Sequence, residues 1–185
     1  QSTSYKNLTQ GQKVFSYFLL LIAFCLLLSV SRYWYADVLY NKAVIYGKQG
    51  RLIDQNGSIT SAIKLSPGEA IYYSELADCY TNIALVYFSQ QNGQTAEKFA
   101  NNAIVSINKA EELSPRNLNI IRNKARIAVS LSPIKPSYVL DAKKTLQKAI
   151  ELAPTEAKLF YNLALTHYRI GETDTAVDII KKTIE

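Results

Sequence analysis

The sequence predicts an all-α protein in which one transmembrane helix is followed by an α-α superhelix of about four helical hairpins. An uncharged apolar stretch runs from Val14 to Val30. Downstream of it, three segments end with the same spacing between an alanine and a proline, and the segments that open each hairpin also resemble one another. Hairpins that recur in this way stack side by side and share one continuous core.

The apolar stretch from Val14 to Val30 has the composition of a membrane-spanning helix. About 17 apolar residues are close to the shortest length that crosses a bilayer core. We therefore expect a polar lead-in over residues 1–12 and a transmembrane helix over residues 13–35, with residues 14–30 in contact with lipid. An aromatic cluster of the kind found at headgroup level follows the stretch, at Tyr33, Trp34 and Tyr35.

The start of the chain leaves its processing open. It begins at Gln1 and contains no methionine, so we expect a longer or processed parent protein. A cleaved signal peptide is the alternative to a membrane anchor, because Ser29, Val30 and Ser31 offer small residues at a cleavage-like spacing. Asn7 to Thr9 matches the glycosylation sequon, a pattern too short to carry weight.

The membrane helix is predicted to continue into the region that follows it. No proline or glycine occurs between Lys13 and Tyr46. Glycine is common just after the last residue of a helix, which places the end of this one near Gly47 or Gly50. A helix that leaves the bilayer without a hinge would mount the following domain rigidly.

Each predicted hairpin ends in a related motif. The three endings are SAIKLSP, NKAEELSP and QKAIELAP, in which Ala62, Ala110 and Ala149 precede a proline by five residues. A small residue at a fixed helical position lets a neighbouring helix approach closely. The proline cannot continue the helix, so it separates one hairpin from the next.

These motifs resemble the tetratricopeptide repeat (TPR), a helix-turn-helix unit of about 34 residues. The resemblance covers residues 36–185 and divides them into repeats at 36–69, 70–117, 118–156 and 157–185. The second and third repeats are longer than the family standard, and Ser132 to Ser137 predicts an extended turn inside the third.

Composition and motifs argue against catalysis by this chain. It contains no phosphate-binding glycine loop, zinc-ligand spacing or nucleophile motif, so we predict no catalytic residue, metal or cofactor. The single histidine, His167, has no acidic neighbour in the sequence and is interpreted as a packing residue. Cys25 and Cys79 are interpreted as unpaired hydrophobic positions. The net charge of +6 comes from scattered lysines and arginines, which argues against nucleic-acid binding.

The resemblance implies a partner-binding groove along the first helix of each repeat. Family positions that line such a groove fall, in this chain, on Tyr40, Arg122, Asn123, Arg126, Lys158, Tyr161 and Asn162. Arginine, lysine and asparagine donors suit a carboxylate or an acidic peptide. Together with the apolar stretch, the resemblance predicts a membrane-anchored scaffold that binds a protein or acidic peptide near a bilayer, and we expect a single span in a bacterial cell membrane.

A second resemblance gives a different interpretation. The order of a membrane helix, the segment from Arg32 to Ala43, and then repeats is similar to the C-terminal end of O-antigen ligase and polymerase-like envelope proteins. That resemblance implies an accessory tail of a multi-span enzyme that transfers glycans. The upstream reading frame would separate the two interpretations, since only the enzyme has many further apolar spans.

Overall fold

The computed structural model describes residues 9–184, and it confirms the all-α fold. Helices account for 84% of the structure, and the described residues form eight helices and no strand. The helices are α1 (Gln10–Lys48), α2 (Leu52–Leu65), α3 (Ala70–Ser89), α4 (Gly93–Leu113), α5 (Leu118–Leu131), α6 (Tyr138–Leu152), α7 (Ala157–Arg169) and α8 (Thr173–Ile184). Most of the predicted polar lead-in, and all but Thr9 of the sequon, lie outside the described residues.

Helix α1 is a single rod that contains both the apolar stretch and the first helix of the repeat region. It starts at a capping box, in which the Thr9 hydroxyl accepts from the Gln12 backbone amide and the Gln12 side chain accepts from the Thr9 backbone amide. Its 39 residues extend without interruption to Lys48, which corresponds to about 58 Å at the α-helical rise. The helix therefore ends where the first glycines of the repeat region occur.

The alanines of the three hairpin endings pack as the sequence predicts. Ala62, Ala110 and Ala149 are all completely buried. They belong to three successive core clusters, which lie between α1 and α3, between α3 and α6, and between α5 and α8. Small residues recur through these clusters, so neighbouring helices approach closely. The close approach adds van der Waals contacts between their backbones to the burial of side chains.

The turns within three of the hairpins use a left-handed residue where the chain reverses. Gly50 follows α1 with φ of +72°, and Gly171 follows α7 with φ of +83°. Gln91 takes the same place after α3 with φ of +60°. L-residues rarely adopt this conformation, so two of the three turns use glycine and the third carries local strain.

The first helices of the hairpins do not pack equally along the array. Helix α1 contacts α3, and α3 lies directly along α5. Between α5 and α7, in contrast, two adjoining cavities open to the surface. The gap between α5 and α7 is therefore the place where first-helix side chains can meet a ligand.

Candidate functional site

The candidate site is the groove between α5 and α7, which we call the α5–α7 groove. Its outer cavity has a volume of about 470 Å³, and a narrower cavity of about 170 Å³ continues inward from it. The residues that line the outer cavity are Asn119, Arg122, Asn123, Arg126, Glu156, Lys158, Leu159 and Asn162. Five of the seven site residues predicted from the sequence are among them, so the fold brings the distal part of the predicted set together.

The polar residues reach the groove because of the periodicity of α5. Asn117 caps this helix, and its side chain accepts from the backbone amides of Asn119 and Ile120. The apolar face of α5 is buried through Ile120, Ile121 and Ala125 among others. Arg122, Asn123 and Arg126 are spaced by one and four residues, so they share one side of the helix, next to the buried face. This geometry places Arg122, Asn123 and Arg126 on the face that borders the groove.

Both arginines of α5 in the groove already contact carboxylates of the chain. Arg122 forms an ion pair with Glu156, which lies immediately before α7. Arg126 forms an ion pair with Asp78 of α3. Neither Asp78 nor Glu156 was predicted from the sequence as a partner of these arginines. Glu156 is 34 residues away from Arg122, and Asp78 is 48 residues away from Arg126. A periodic pattern in the sequence does not predict pairs at such separations.

Asn123 connects the second and third hairpins. Its side-chain amide donates to Ser74 Oγ at 2.9 Å and to Asp78 Oδ1 at 3.1 Å. Its Oδ1 accepts from Arg126 Nη2 at 2.7 Å. With its hydrogen-bonding groups used inside the protein, Asn123 holds Arg126 in place, and the structure gives it a positioning role.

Two further cations border the groove without a carboxylate partner in the described part of the chain. Lys158 is exposed at the start of α7, and Arg169 lines the inner cavity, where Nη1 donates to the carbonyl of Val129 at 3.4 Å. With Arg122 and Arg126 paired to one carboxylate each, the groove has an excess of positive charge. It can therefore attract an anion.

The two tyrosines of the predicted set do not line the cavities of the α5–α7 groove. Tyr40 of α1 is half-buried and stacks on Tyr72, with the ring centroids 5.2 Å apart. Tyr72 in turn donates to Asp37 Oδ1 at 2.5 Å. Tyr161 of α7 is 54% exposed but lines neither of the two groove cavities. Tyr40 therefore packs the first hairpin against the second, and Tyr161 is an exposed aromatic residue next to the groove.

The first-helix surface of α1 and α3 has the opposite chemistry. Burial raises the pKa of Asp78 against the lowering effects of Arg126 and Asn123. Burial also raises the pKa of Glu75, whose carboxylate accepts from Gln55 at 2.8 Å. Gln55 itself is almost completely buried. These carboxyls face other parts of the protein, so this surface is a packed polar layer rather than an open site.

The histidine has an acidic neighbour in the structure, which the sequence interpretation did not anticipate. His167 Nδ1 lies 2.5 Å from Glu172 Oε2. Glu172 also accepts from Lys143 Nζ at 2.8 Å, and this bond is the main cause of its lowered pKa. His167 is buried, as a packing position requires. The three groups tie α6 and α7 to the turn before α8.

The cysteines offer no reactive thiol pair among the described residues. Both are free, with Cys25 exposed on α1 and Cys79 buried in α3. Burial, together with the nearby charges of Glu75 and Asp78, raises the pKa of Cys79 to about 12. The thiol stays protonated at neutral pH and acts as a small hydrophobic group.

Another cavity of about 460 Å³ lies among α6, α7 and α8 and is lined mainly by apolar side chains, including Ile150, Phe160 and Ile179. Lys182 is the one charged residue among the described residues of its lining. A cavity near the start of α2 is lined, within the described part of the chain, by uncharged residues alone. Neither offers the convergent polar groups that fix a ligand's orientation, which the α5–α7 groove does.

Comparison with known proteins identifies the repeats. Tetratricopeptide repeat models match residues 76–110 and 145–178. No curated protein matches the chain by sequence. None of these matches supports the resemblance to O-antigen ligase-like proteins.

Solved structures share the fold at low sequence identity. A thermophilic TPR protein from Thermus thermophilus aligns with a TM-score of 0.64 and 17% identity over 80% of this chain and 72% of its own. MamA from MSR-1 aligns with a TM-score of 0.58 and 19% identity over 80% of this chain and 74% of its own. The TPR domain of Arabidopsis OM64 aligns with a TM-score of 0.56 and 16% identity over 76% of this chain and 98% of its own.

Proposed function

Because this chain is a tetratricopeptide-repeat protein, we propose that it is a scaffold whose α5–α7 groove binds a carboxylate-rich segment of a protein partner. The fold supports the scaffold role, since repeat arrays offer extended surfaces and TPR repeats commonly bind proteins. One observation carries the choice of groove. It is the cavity of about 470 Å³ in which Arg122, Arg126 and Lys158 converge with asparagine side chains.

The chemistry of the groove favours a carboxylate over other ligands. A guanidinium presents parallel N–H donors that match the two oxygens of a carboxylate. Arg122 Nε is buried and has no hydrogen-bond partner among the described residues, so a donor beside the cavity is unused. Lys158 adds an exposed ammonium at the entrance. An acidic peptide would meet Lys158 at the entrance, the two arginines of α5 in the outer cavity and Arg169 in the inner one.

We also propose that α1 anchors this scaffold in a membrane. The helix is long and apolar enough to cross a bilayer, and its most apolar part is wholly exposed. Leu20, Leu27 and Val30 are at least 60% exposed, and leaving so much apolar surface in water would be costly. The helix continues unbroken through Ser29 to Ser31, which supports an anchor over a cleaved leader.

The rod would fix the height of the repeats above the bilayer. Trp34 is 66% exposed, which suits an aromatic ring at headgroup level. Ala36, two residues later, is completely buried against the first hairpin. Two residues of helix correspond to about 3 Å. In this arrangement the first hairpin starts at the membrane surface, and a bound partner is held close to it.

A binding measurement tests the groove. The full chain is placed in nanodiscs of phosphatidylcholine, a lipid without net charge, and titrated against fluorescent hexaglutamate or hexalysine while anisotropy is recorded. The proposal predicts binding of hexaglutamate that weakens as salt is added, because the attraction is electrostatic. Hexalysine should bind more weakly, since the carboxylates of α3 are engaged inside the protein. Equal binding of the two peptides, or preference for hexalysine, would contradict the proposal.

A further inference from the structure

The side chain of Glu156 occupies the position that a partner's carboxylate needs. Glu156 lines the outer cavity and forms an ion pair with Arg122. The pair is partly open to solvent, with 38% of the Arg122 side chain and 27% of the Glu156 side chain exposed. A contact of this kind can be exchanged, because partly exposed ion pairs contribute little net free energy.

Glu156 also lacks the usual role of a polar residue at its position, which is to cap a helix with its side chain. It is the N-cap residue of α7, yet no side-chain capping bond is formed within the described residues. Asn117, at the corresponding position before α5, does cap its helix. A carboxylate near a helix N-terminus interacts favourably with the helix dipole, and a guest carboxylate in the same place would keep that interaction. The guest can therefore replace Glu156 without loss to α7.

We propose that Glu156 is an internal competitor that sets the affinity and the selectivity of the α5–α7 groove. A partner's carboxylate must displace it from Arg122, so weakly acidic segments are rejected and segments with several adjacent carboxylates are accepted. This inference rests on the proposed function of the groove. Glu156 would restrict binding, whereas Arg122, Arg126 and Lys158 would provide it.

Asp78 does not have this role, although it pairs with the other arginine. It accepts from Asn123 as well as from Arg126, and these bonds join α3 to α5. Asp78 is therefore part of the junction between the second and third hairpins, and its removal would disturb the fold. The Glu156 side chain makes a single polar contact among the described residues, the ion pair with Arg122, and it makes this contact from the end of a helix.

The chain provides a matched control. Glu69 is the N-cap residue of α3, at the same place in its repeat, and it likewise makes no side-chain capping bond among the described residues. It is exposed and has no salt bridge in the described part of the chain, in contrast to Glu156. Glu69→Gln therefore makes the same change in charge at the same structural position, without freeing a groove cation.

The test is titration of the full chain in phosphatidylcholine nanodiscs with fluorescent hexaglutamate. Glu156→Gln should tighten binding roughly three- to fivefold, the change expected when a partly exposed ion pair no longer competes. Glu156→Ser removes the same carboxylate and supplies a good N-cap, so it guards against misfolding of the first variant. Glu69→Gln should bind as the wild type does.

The outcomes separate the two proposals. If the wild type binds hexaglutamate and both Glu156 variants bind it equally or more weakly, Glu156 is not a competitor, although the groove remains a carboxylate site. Equal tightening in Glu69→Gln would show a general charge effect and would also overturn the inference. If no variant binds hexaglutamate, the function proposed for the groove fails and the inference fails with it.

Discussion

The first helices of this protein form one row, but its two halves handle charge in opposite ways. In the proximal half, on α1 and α3, the carboxyls of Glu75 and Asp78 are turned into the protein and hydrogen-bonded there. In the distal half, on α5 and α7, Arg122 and Lys158 border an open groove. The row therefore contains a half that is packed into the fold and a half that is open and that we propose as the docking surface. Accessibility distinguishes the two halves better than charge does.

Small residues lie in the core beneath both halves, and replacing one of them should damage the fold in either. Ala110 is completely buried in the central cluster. We expect Ala110→Leu to lower the free energy of unfolding by about 1–3 kcal/mol, because added methylenes overpack a close helix contact. Denaturant unfolding followed by circular dichroism measures this. Val105→Leu, at a position 67% exposed on the same helix, should change little.

The binding difference between the halves is tested by charge reversal at Lys158. This residue has no carboxylate partner among the described residues, so Lys158→Glu should leave the fold intact. We expect roughly tenfold weaker binding of hexaglutamate at low salt, because a steering cation becomes an anion. Lys98→Glu, on the exposed surface of α4, makes the same change outside the groove. Comparable losses in both variants would show that overall charge, not the groove, governs binding.

The turn between α3 and α4, in the proximal half, differs from the corresponding glycine-containing turns because its left-handed residue is a glutamine. Gln91 has φ of +60°, where the first and last hairpins have glycine. Gln91→Gly should raise the free energy of unfolding by about 0.5–1 kcal/mol, as the strain of a left-handed L-residue is relieved. Gln90→Gly is the control, because Gln90 has φ of −84° and glycine there should only destabilise. A loss of stability in Gln91→Gly would contradict the assignment of strain.

The smallest effect we expect is a difference between Glu75 and Glu111 in how their contributions to stability depend on pH. Burial raises the pKa of Glu75, so this group favours the folded state less as pH rises through the range between its unfolded and folded pKa values. For Glu111, burial is outweighed by hydrogen bonds from Lys124 and Lys148, which lower the pKa. Its contribution is present above the unfolded pKa and is lost as pH falls through the folded value.

Two amide substitutions measure this difference. Relative to the wild type at pH 7, Glu75→Gln should raise the thermal midpoint and Glu111→Gln should lower it. Both differences should shrink in acid, but at different pH: the wild-type Glu75 is protonated above the ordinary range of a glutamate, because its pKa is raised, and Glu111 only below that range, because its pKa is lowered. Thermal unfolding of the three proteins at several pH values checks the prediction. A lowered midpoint in Glu75→Gln at pH 7 would mean that its ionised form stabilises the fold.

Much of the architecture could be predicted from the sequence because it is repetitive. The alanines that precede each proline mark helix contacts, and all three are buried. The same periodicity, carried over from the repeat family, gathered Arg122, Asn123, Arg126, Lys158 and Asn162, which the structure places around one cavity. Local spacing is sufficient for such features, since each helix repeats its orientation toward its neighbours.

The sequence could not predict which of these side chains would be engaged in contacts with other residues of the chain. The pairing of Arg122 with Glu156 depends on how far α7 lies from α5, and that distance follows from the packing of both helices on α6. Tyr40, which the repeat resemblance assigns to the groove-lining positions, stacks on Tyr72 of α3, because aromatic burial between the first and second hairpins competes with exposure. Arg169 has no predicted role, since it lies at the end of α7, beyond the family positions considered.

We propose that the membrane helix and the cationic groove of this protein act together to hold an acidic partner at a bilayer. Flotation of phosphatidylcholine vesicles, loaded with the full chain and mixed with fluorescent hexaglutamate, tests both parts at once. Our account predicts that chain and peptide rise together with the vesicles, and that with Lys158→Glu the chain rises while most of the peptide stays below. A wild-type chain that stays below the vesicles, or one that rises without the peptide, would contradict it.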